Sequence, residues 1–226
     1  MINTLVFDLD GTLVDTAPDL VGTLNSIMAD EGIAPLTIDE ARHAVGSGAR
    51  VMIERAIALG GGTPRTDDID RLFDVFVERY AARIAEESVP YPGAVAALDA
   101  FARAGWRLAI CTNKLEGLAQ RLMAELGLDE RFAAICGQDT FAQRKPDPRA
   151  LTGTIARAGG DRTRAVMVGD SITDVETARA AQVPVVVVSF GYAASPPSEL
   201  GADRLIDHFD ELWDAVAAIA PASTNP

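Results

Sequence analysis

Two acids crowd the end of one buried strand, and that placement restricts the fold more than any other feature of the chain. Thr4-Leu-Val-Phe7 is short, uncharged and rich in β-branched and apolar residues, and it runs straight into Asp8-Leu9-Asp10-Gly11-Thr12. Such a run reads as a strand buried on both faces of a sheet. Asp8 and Asp10 stand two apart where it ends, so an extended backbone projects them to the same side. Open α/β sheets hold their ligands outside the carboxyl ends of their strands, which is where this pair falls. Crowded carboxylates shift each other's pKa, so the pair calls for a metal or a proton to share. Gly11 allows a sharp turn toward a ligand. Thr12 adds a hydroxyl and an amide.

The rest of the chain supplies the sheet. From Ala94 onward, apolar strands alternate with helical segments. Helices are expected over Ala94–Ala104, Leu115–Leu126, Pro148–Ala158, Ile172–Ala181 and Phe209–Ala218. Strands are expected over Arg107–Thr112, Ala133–Cys136, Ala165–Val168 and Val183–Val188, with a short last one at Leu205–Ile206. This alternation implies a Rossmann-like parallel sheet with helices on both faces. Between Thr16 and Glu87 the pattern is helical only. Leu20, Leu24, Ile27 and Met28 share one helix face, Ile38–Val45 and Ala49–Leu59 form two more helices, and Asp68–Ala85 a fourth. Gly60-Gly-Gly-Thr-Pro64 breaks the run. The helical block is read as a cap of residues 16–87 inserted into a discontinuous core of residues 1–15 and 88–226. A cap beside the acidic strand end can cover the site and exclude water.

Composition narrows the partners. Of 226 residues 48% are hydrophobic, enough for a sizeable core, and disorder is expected only in the tail Ala220–Pro226. The formal charge of −13 argues against nucleic acid or an anionic membrane. An anionic substrate would then need local cations. No basic segment precedes an apolar stretch at the start, and Val183–Val188 is far too short to span a bilayer. Cys111 and Cys136 each end an apolar run, and a reduced, cytoplasmic chain is expected, although a disulfide is not excluded.

The DxDGTxxD string made by Asp8, Asp10, Gly11, Thr12 and Asp15 resembles the first motif of the haloacid dehalogenase superfamily of phosphohydrolases. Three later segments, in order, resemble its other motifs. Thr112, with Asn113 and Lys114 after it, ends a strand. Lys145 stands in Arg144-Lys-Pro-Asp-Pro148. Val166-Met-Val-Gly-Asp170-Ser-Ile-Thr-Asp174 carries two acids four apart. The resemblance covers essentially the whole chain. It implies an α/β, Rossmann-like core with an inserted helical cap. It implies Asp8 as nucleophile, Asp10 as general acid and base, and Lys145 as the charge beside Asp8 and the phosphoryl group. Thr112 and Asn113 would bind phosphate, together with Gly11 and Thr12. Mg²⁺ prefers oxygen ligands, and Asp8, the Asp10 backbone carbonyl and Asp170 would hold it, with Asp174 in support.

Within that superfamily Asp10 argues against dehalogenation, which has no alkoxide to protonate. Thr12 is as in many phosphatases. Residues 16–87 contain no lysine, which argues against the phosphonate-cleaving members that use a cap lysine. Cys111–Gly117, Cys136–Phe141, Arg144–Pro148 and the turn Val45-Gly-Ser-Gly-Ala-Arg50 resemble bacterial phosphoglycolate phosphatases. The implied reaction is hydrolysis of 2-phosphoglycolate, a small phosphate ester, by a monomer or homodimer. Arg50 would meet the substrate carboxylate or, alternatively, lie on the surface in a first helical turn. Leu115 departs from the proline that many of these enzymes carry after the lysine.

Other readings stay open. The enzyme alternatives are a phosphatase of another small ester or a sugar-phosphate mutase. The non-enzyme alternative is a receiver-like module that keeps its aspartyl-phosphate. Lys114 is either part of the site or solvated. His43 and His208 are expected on the surface or in the cap, and Trp106 and Trp213 in the core.

Overall fold

Alternation along four strands sets the layers of the molecule. The computed structural model describes residues 3–46 and 48–220, with the side chains of Arg42 and His43 left out. Expectations for His43 and for the tail beyond Ala220 lie outside the described residues. The chain opens with β1 (Thr4–Phe7) and a two-residue β2 (Val14–Asp15). Four helices follow: α1 (Ala17–Asp30), α2 (Ile38–Val45), α3 (Ala49–Leu59) and α4 (Thr66–Ala82). A second two-residue strand, β3 (Val89–Pro90), pairs antiparallel with β2. Then come α5 (Ala94–Arg103), β4 (Arg107–Cys111), α6 (Glu116–Glu125), β5 (Ala134–Cys136) and α7 (Pro148–Arg157). The chain closes with β6 (Ala165–Gly169), α8 (Ile172–Ala181), β7 (Val185–Val188), β8 (Arg204–Ile206) and α9 (Leu212–Ile219).

Six strands form one parallel sheet in the order β5-β4-β1-β6-β7-β8. Leu5 and Phe7 of β1, Leu108 and Ile110 of β4, Val166 and Val168 of β6, and Val186 and Val188 of β7 face one apolar cluster, shared with α5, α6 and α9. Val6, Ala109, Met167 and Val185 face the other, shared with α7 and α8. Period two thus divides near-continuous apolar strands between two helical layers, which is why both faces read as hydrophobic in the sequence. The α/β architecture expected from the sequence is the one found.

The helices end where local chemistry ends them. Thr37 and Glu40 form a reciprocal capping box at the start of α2. Asp147 caps α7 through the Arg149 amide, with Pro148 in the first turn. The β2–β3 pair was not expected: two residues a side is too short a run to show a period, and Pro90 speaks against a strand except at an edge. It joins the two ends of the helical segment, since Asp15 pairs with Val89.

Trp106 is partly buried against the core, but Trp213 is 45% exposed, with one face on Phe101 at 4.9 Å. Its place in the first turn of α9 leaves the rest of the ring to solvent. Cys111 and Cys136 are register partners on neighbouring strands, buried and free. Burial pushes the Cys111 thiol up to about 12. His208 is half-exposed and accepts from the Asp210 amide. Among the described residues no helix is long and apolar enough to cross a membrane.

Candidate active site

The carboxyl ends of β1, β4 and β6 lie side by side, because β1 pairs with both neighbours. That adjacency brings Asp8, Thr112 and Asp170 to one edge of the sheet. Asp8 continues the β1 ladder, its amide donating to the Val168 carbonyl at 2.8 Å. Its Oδ1 accepts from the Leu9 amide at 2.7 Å and pairs with Lys145 Nζ at 2.9 Å. Lys145 is 2% exposed at its side chain and also reaches Asp174 Oδ1 at 2.7 Å.

Asp174 is engaged at both oxygens. Its Oδ2 accepts from the Ser171 hydroxyl at 2.7 Å and from the amides of Ser171 and Asp170 at 3.1 and 3.2 Å. This carboxylate closes the turn that carries Asp170 into α8 and anchors Lys145. Asp170 itself is fully buried. Its Oδ1 accepts from the Thr12 hydroxyl at 3.1 Å and its Oδ2 from the Tyr192 amide at 2.6 Å. Gly11, at φ +81°, is required here: a Cβ would come within 2.6 Å of Asp170 Oδ2 and 2.7 Å of the Tyr192 ring.

Asp8, Asp170 and Asp174 each offer an oxygen within 4.8 Å of the others. One lysine cannot neutralise three buried carboxylates. Burial pushes Asp8 up to about 7 against the pull of Lys145, with Asp174 adding to the rise. Burial and the same neighbouring charges drive Asp170 well above the usual carboxylate range. A convergent all-oxygen donor set with surplus negative charge fits a hard divalent cation such as Mg²⁺.

Asp10 parts company with this cluster. Its Oδ1 accepts from Thr16 Oγ1 and pairs with Lys114 Nζ, both at 2.7 Å. Lys114 is 4% exposed at its side chain and lies over the Tyr80 ring, 4.7 Å from its centroid. Sequence reasoning left Lys114 open between site and solvent; the structure buries it on Asp10. A compositional signal was there: the sequence contains just two lysines, Lys114 and Lys145, against eighteen arginines. Each lysine sits on one acid of the opening pair.

A cavity of about 40 Å³ lies over these groups, between the sheet edge and the helical segment. Asp8, Asp10, Thr112, Asn113 and Lys114 form its polar side, and Leu20, Met52, Phe73, Phe76, Val77 and Tyr80 much of its apolar side. Thr112 Oγ1 accepts from the Lys114 amide at 3.1 Å, and Asn113 Nδ2 donates to the Lys145 carbonyl at 3.3 Å. The Gly11 and Thr12 amides serve the turn, donating to Val14 and Leu9 carbonyls. The Thr12 hydroxyl is turned to Asp170. Arg50 is not brought to the site. Its side chain is 44% exposed, ion-paired with Asp70 and stacked over Phe73 at 4.6 Å.

The haloacid dehalogenase-like hydrolase family model matches residues 5–188. A phosphoglycolate phosphatase of Agrobacterium fabrum is 53% identical over 211 residues, 93% of this chain and 91% of that one. Among solved structures, a predicted phosphoglycolate phosphatase from Haemophilus somnus superposes with a TM-score of 0.87 at 27% identity, covering 94% of this chain and 97% of that one. CbbY from Rhodobacter sphaeroides, solved in complex with phosphate, gives 0.79 at 29% identity, with 94% and 96% coverage. The sheet, the acids at its edge and these likenesses agree: the chain belongs to the haloacid dehalogenase-like hydrolase family.

Proposed function

We propose that this chain is a Mg²⁺-dependent phosphomonoester hydrolase that converts 2-phosphoglycolate to glycolate and phosphate through an aspartyl-phosphate. The observation that carries the reading is the divergence of Asp8 and Asp10. Two acids from one strand end face different partners, as a nucleophile and a separate acid/base require. The substrate is supported by the phosphoglycolate phosphatase name of a relative at 53% identity.

Asp8 attacks phosphorus, and the bond to the leaving oxygen breaks. Asp10 gives that oxygen its proton and later takes one from the water that opens the aspartyl-phosphate. Lys145 and the Thr112 hydroxyl hold the charge on the phosphoryl oxygens. Asp174 positions Lys145. The carboxylates of Asp8 and Asp170 and the backbone carbonyl of Asp10 would hold Mg²⁺, which supplies positive charge to the phosphoryl group and keeps Asp8 ionised. Residues 16–87 act as the cap and residues 1–15 and 88–226 as the core, so that Leu20, Met52 and Phe76 shield the site from water. A cytoplasmic location goes with this metabolite.

A phosphate-release screen over small phosphate esters, with Mg²⁺ and with EDTA, tests the reading. 2-Phosphoglycolate should lead, and EDTA should abolish turnover. Equal rates in EDTA would refute the metal role, and a preferred hexose phosphate would refute the substrate.

A further inference from the structure

We infer that Lys114, together with the Tyr80 hydroxyl, binds the carboxylate of the leaving group and so makes the site selective for phosphate esters of short 2-hydroxy acids. This rests on the reading just given. In that mechanism Asp10 touches the ester oxygen. The carboxylate of 2-phosphoglycolate hangs from the carbon bonded to that same oxygen. A group that binds it must therefore stand next to Asp10. Lys114 Nζ does, at 2.7 Å from Asp10 Oδ1.

The surroundings leave few other choices. Among the described residues lining the cavity, Lys114 is the one cation. Lys145 is committed to Asp8 and Asp174 on the phosphoryl side. Arg50 faces Asp70, outside the lining. Leu118, Phe76, Val77 and Met52 line the same cavity as Lys114. A carboxylate stripped of water in such a place needs a charged partner. An ammonium carries three N–H groups, and Asp10 takes one. Tyr80 lines the same cavity, and its buried hydroxyl, beside Lys114, has no acceptor for its proton among the described residues. A carboxylate has two oxygens, and here two donors lie together. Tyr80 belongs to α4 and Lys114 to the turn after β4, so carboxylate binding would also draw the helical segment onto the core.

The test compares kcat/KM for 2-phosphoglycolate with kcat/KM for ethyl phosphate, which has the same skeleton length and no carboxylate. The quantity read is the ratio of the two, because both rates can fall if Asp10 shifts. Lys114→Met should lower the ratio by about 100-fold, the scale of a broken buried charge contact. Lys114→Arg should restore part of it. Tyr80→Phe, which removes one hydroxyl, should lower it by roughly 10- to 100-fold, as for one bond to a charged group. Should Lys114→Met not fold, Tyr80→Phe decides alone. A wild-type preference for 2-phosphoglycolate that survives in the variants overturns this inference and leaves the phosphatase reading standing. A wild-type protein that hydrolyses both esters equally overturns the substrate reading and this inference together.

Discussion

The Tyr192 amide donates to Asp170 Oδ2 at 2.6 Å, and the Tyr192 hydroxyl sits at the start of α1. There it accepts from the Thr16 and Ala17 amides at 2.7 and 2.9 Å and donates to Asp15 Oδ1 at 2.6 Å. One residue thus spans, through its amide and its hydroxyl, from a candidate metal ligand to the entry of the helical segment. It also satisfies two amides that a helix N-terminus leaves without partners.

Tyr192→Phe keeps the ring against Gly11 but strands those amides and the Asp15 carboxylate. Stability should fall by about 2 kcal/mol or more, the cost of buried groups left unpaired. Urea unfolding with and without Mg²⁺ measures it. The loss should persist with Mg²⁺, because the hydroxyl does not touch the acidic cluster. A midpoint equal to wild type would show that water replaces the hydroxyl fully.

Asp19 makes the matching contact at the return of the segment. Its Oδ2 accepts from the Glu87 and Ser88 amides at 3.0 and 2.8 Å and from the Ser88 hydroxyl at 2.7 Å, while the residue is wholly buried. Asp19→Ala should cost about 2–4 kcal/mol. Because it loosens the point where the segment rejoins the core, kcat should also drop. Limited proteolysis should cut the variant near residues 83–88 faster than wild type. Unchanged cleavage would count against a clasp at this joint.

The acidic cluster fixes a sign for metal and pH. The folded chain holds Asp8 up to about 7, against an ordinary value of 3.8. A raised acid pKa means that the native state binds more protons than the unfolded state between those values. The metal-free protein should therefore lose stability as pH rises from about 4 to 7. Mg²⁺ binds the ionised acids, so the Tm gain on adding it should be small at pH 5 and larger at pH 8. Thermal unfolding in EDTA and in excess Mg²⁺ at both values gives the comparison. A gain independent of pH would place the cation away from Asp8 and Asp170.

Asp8→Asn removes that unfavourable charge along with the attacking oxygen. It should be at least as stable as wild type in EDTA at pH 8, gain little from Mg²⁺, and lose on the order of 10⁴-fold or more in kcat. Measurable turnover near the wild-type rate would remove Asp8 as nucleophile.

Arg50→Ala should leave kcat/KM for 2-phosphoglycolate within about threefold. An exposed pair such as Arg50–Asp70 contributes little to stability. A much larger loss would mean that Arg50 leaves Asp70 and enters the cavity in the working enzyme.

The order of strands and helices was legible because it rests on local periodicity, and most helices begin within a residue or two of their expected positions. The acids were legible because a carboxylate at a strand end has few structural uses. Lys114 and Arg50 were not. One lies in a turn after β4 and the other in the first turn of α3, and nothing local distinguishes a cation that faces a cavity from one that faces solvent. Tyr192, Asp19 and Thr16 were missed for the same reason, since each acts through a partner distant in sequence or hidden in a loop.

By itself, then, the sequence determined the α/β architecture, the helical insertion and the set of acids at the sheet edge. Those follow from patterns within one strand or one helix. Which cation serves which acid was decided only by the tertiary structure. The parallel order β4-β1-β6 sets Asp8 beside Asp170, the loop between β5 and α7 brings Lys145 to Asp8, and the packing of α4 over the β4 turn closes Tyr80 on Lys114. The physical reason is burial: a charge withdrawn from water must take the partner the fold puts next to it, and no local pattern names that partner.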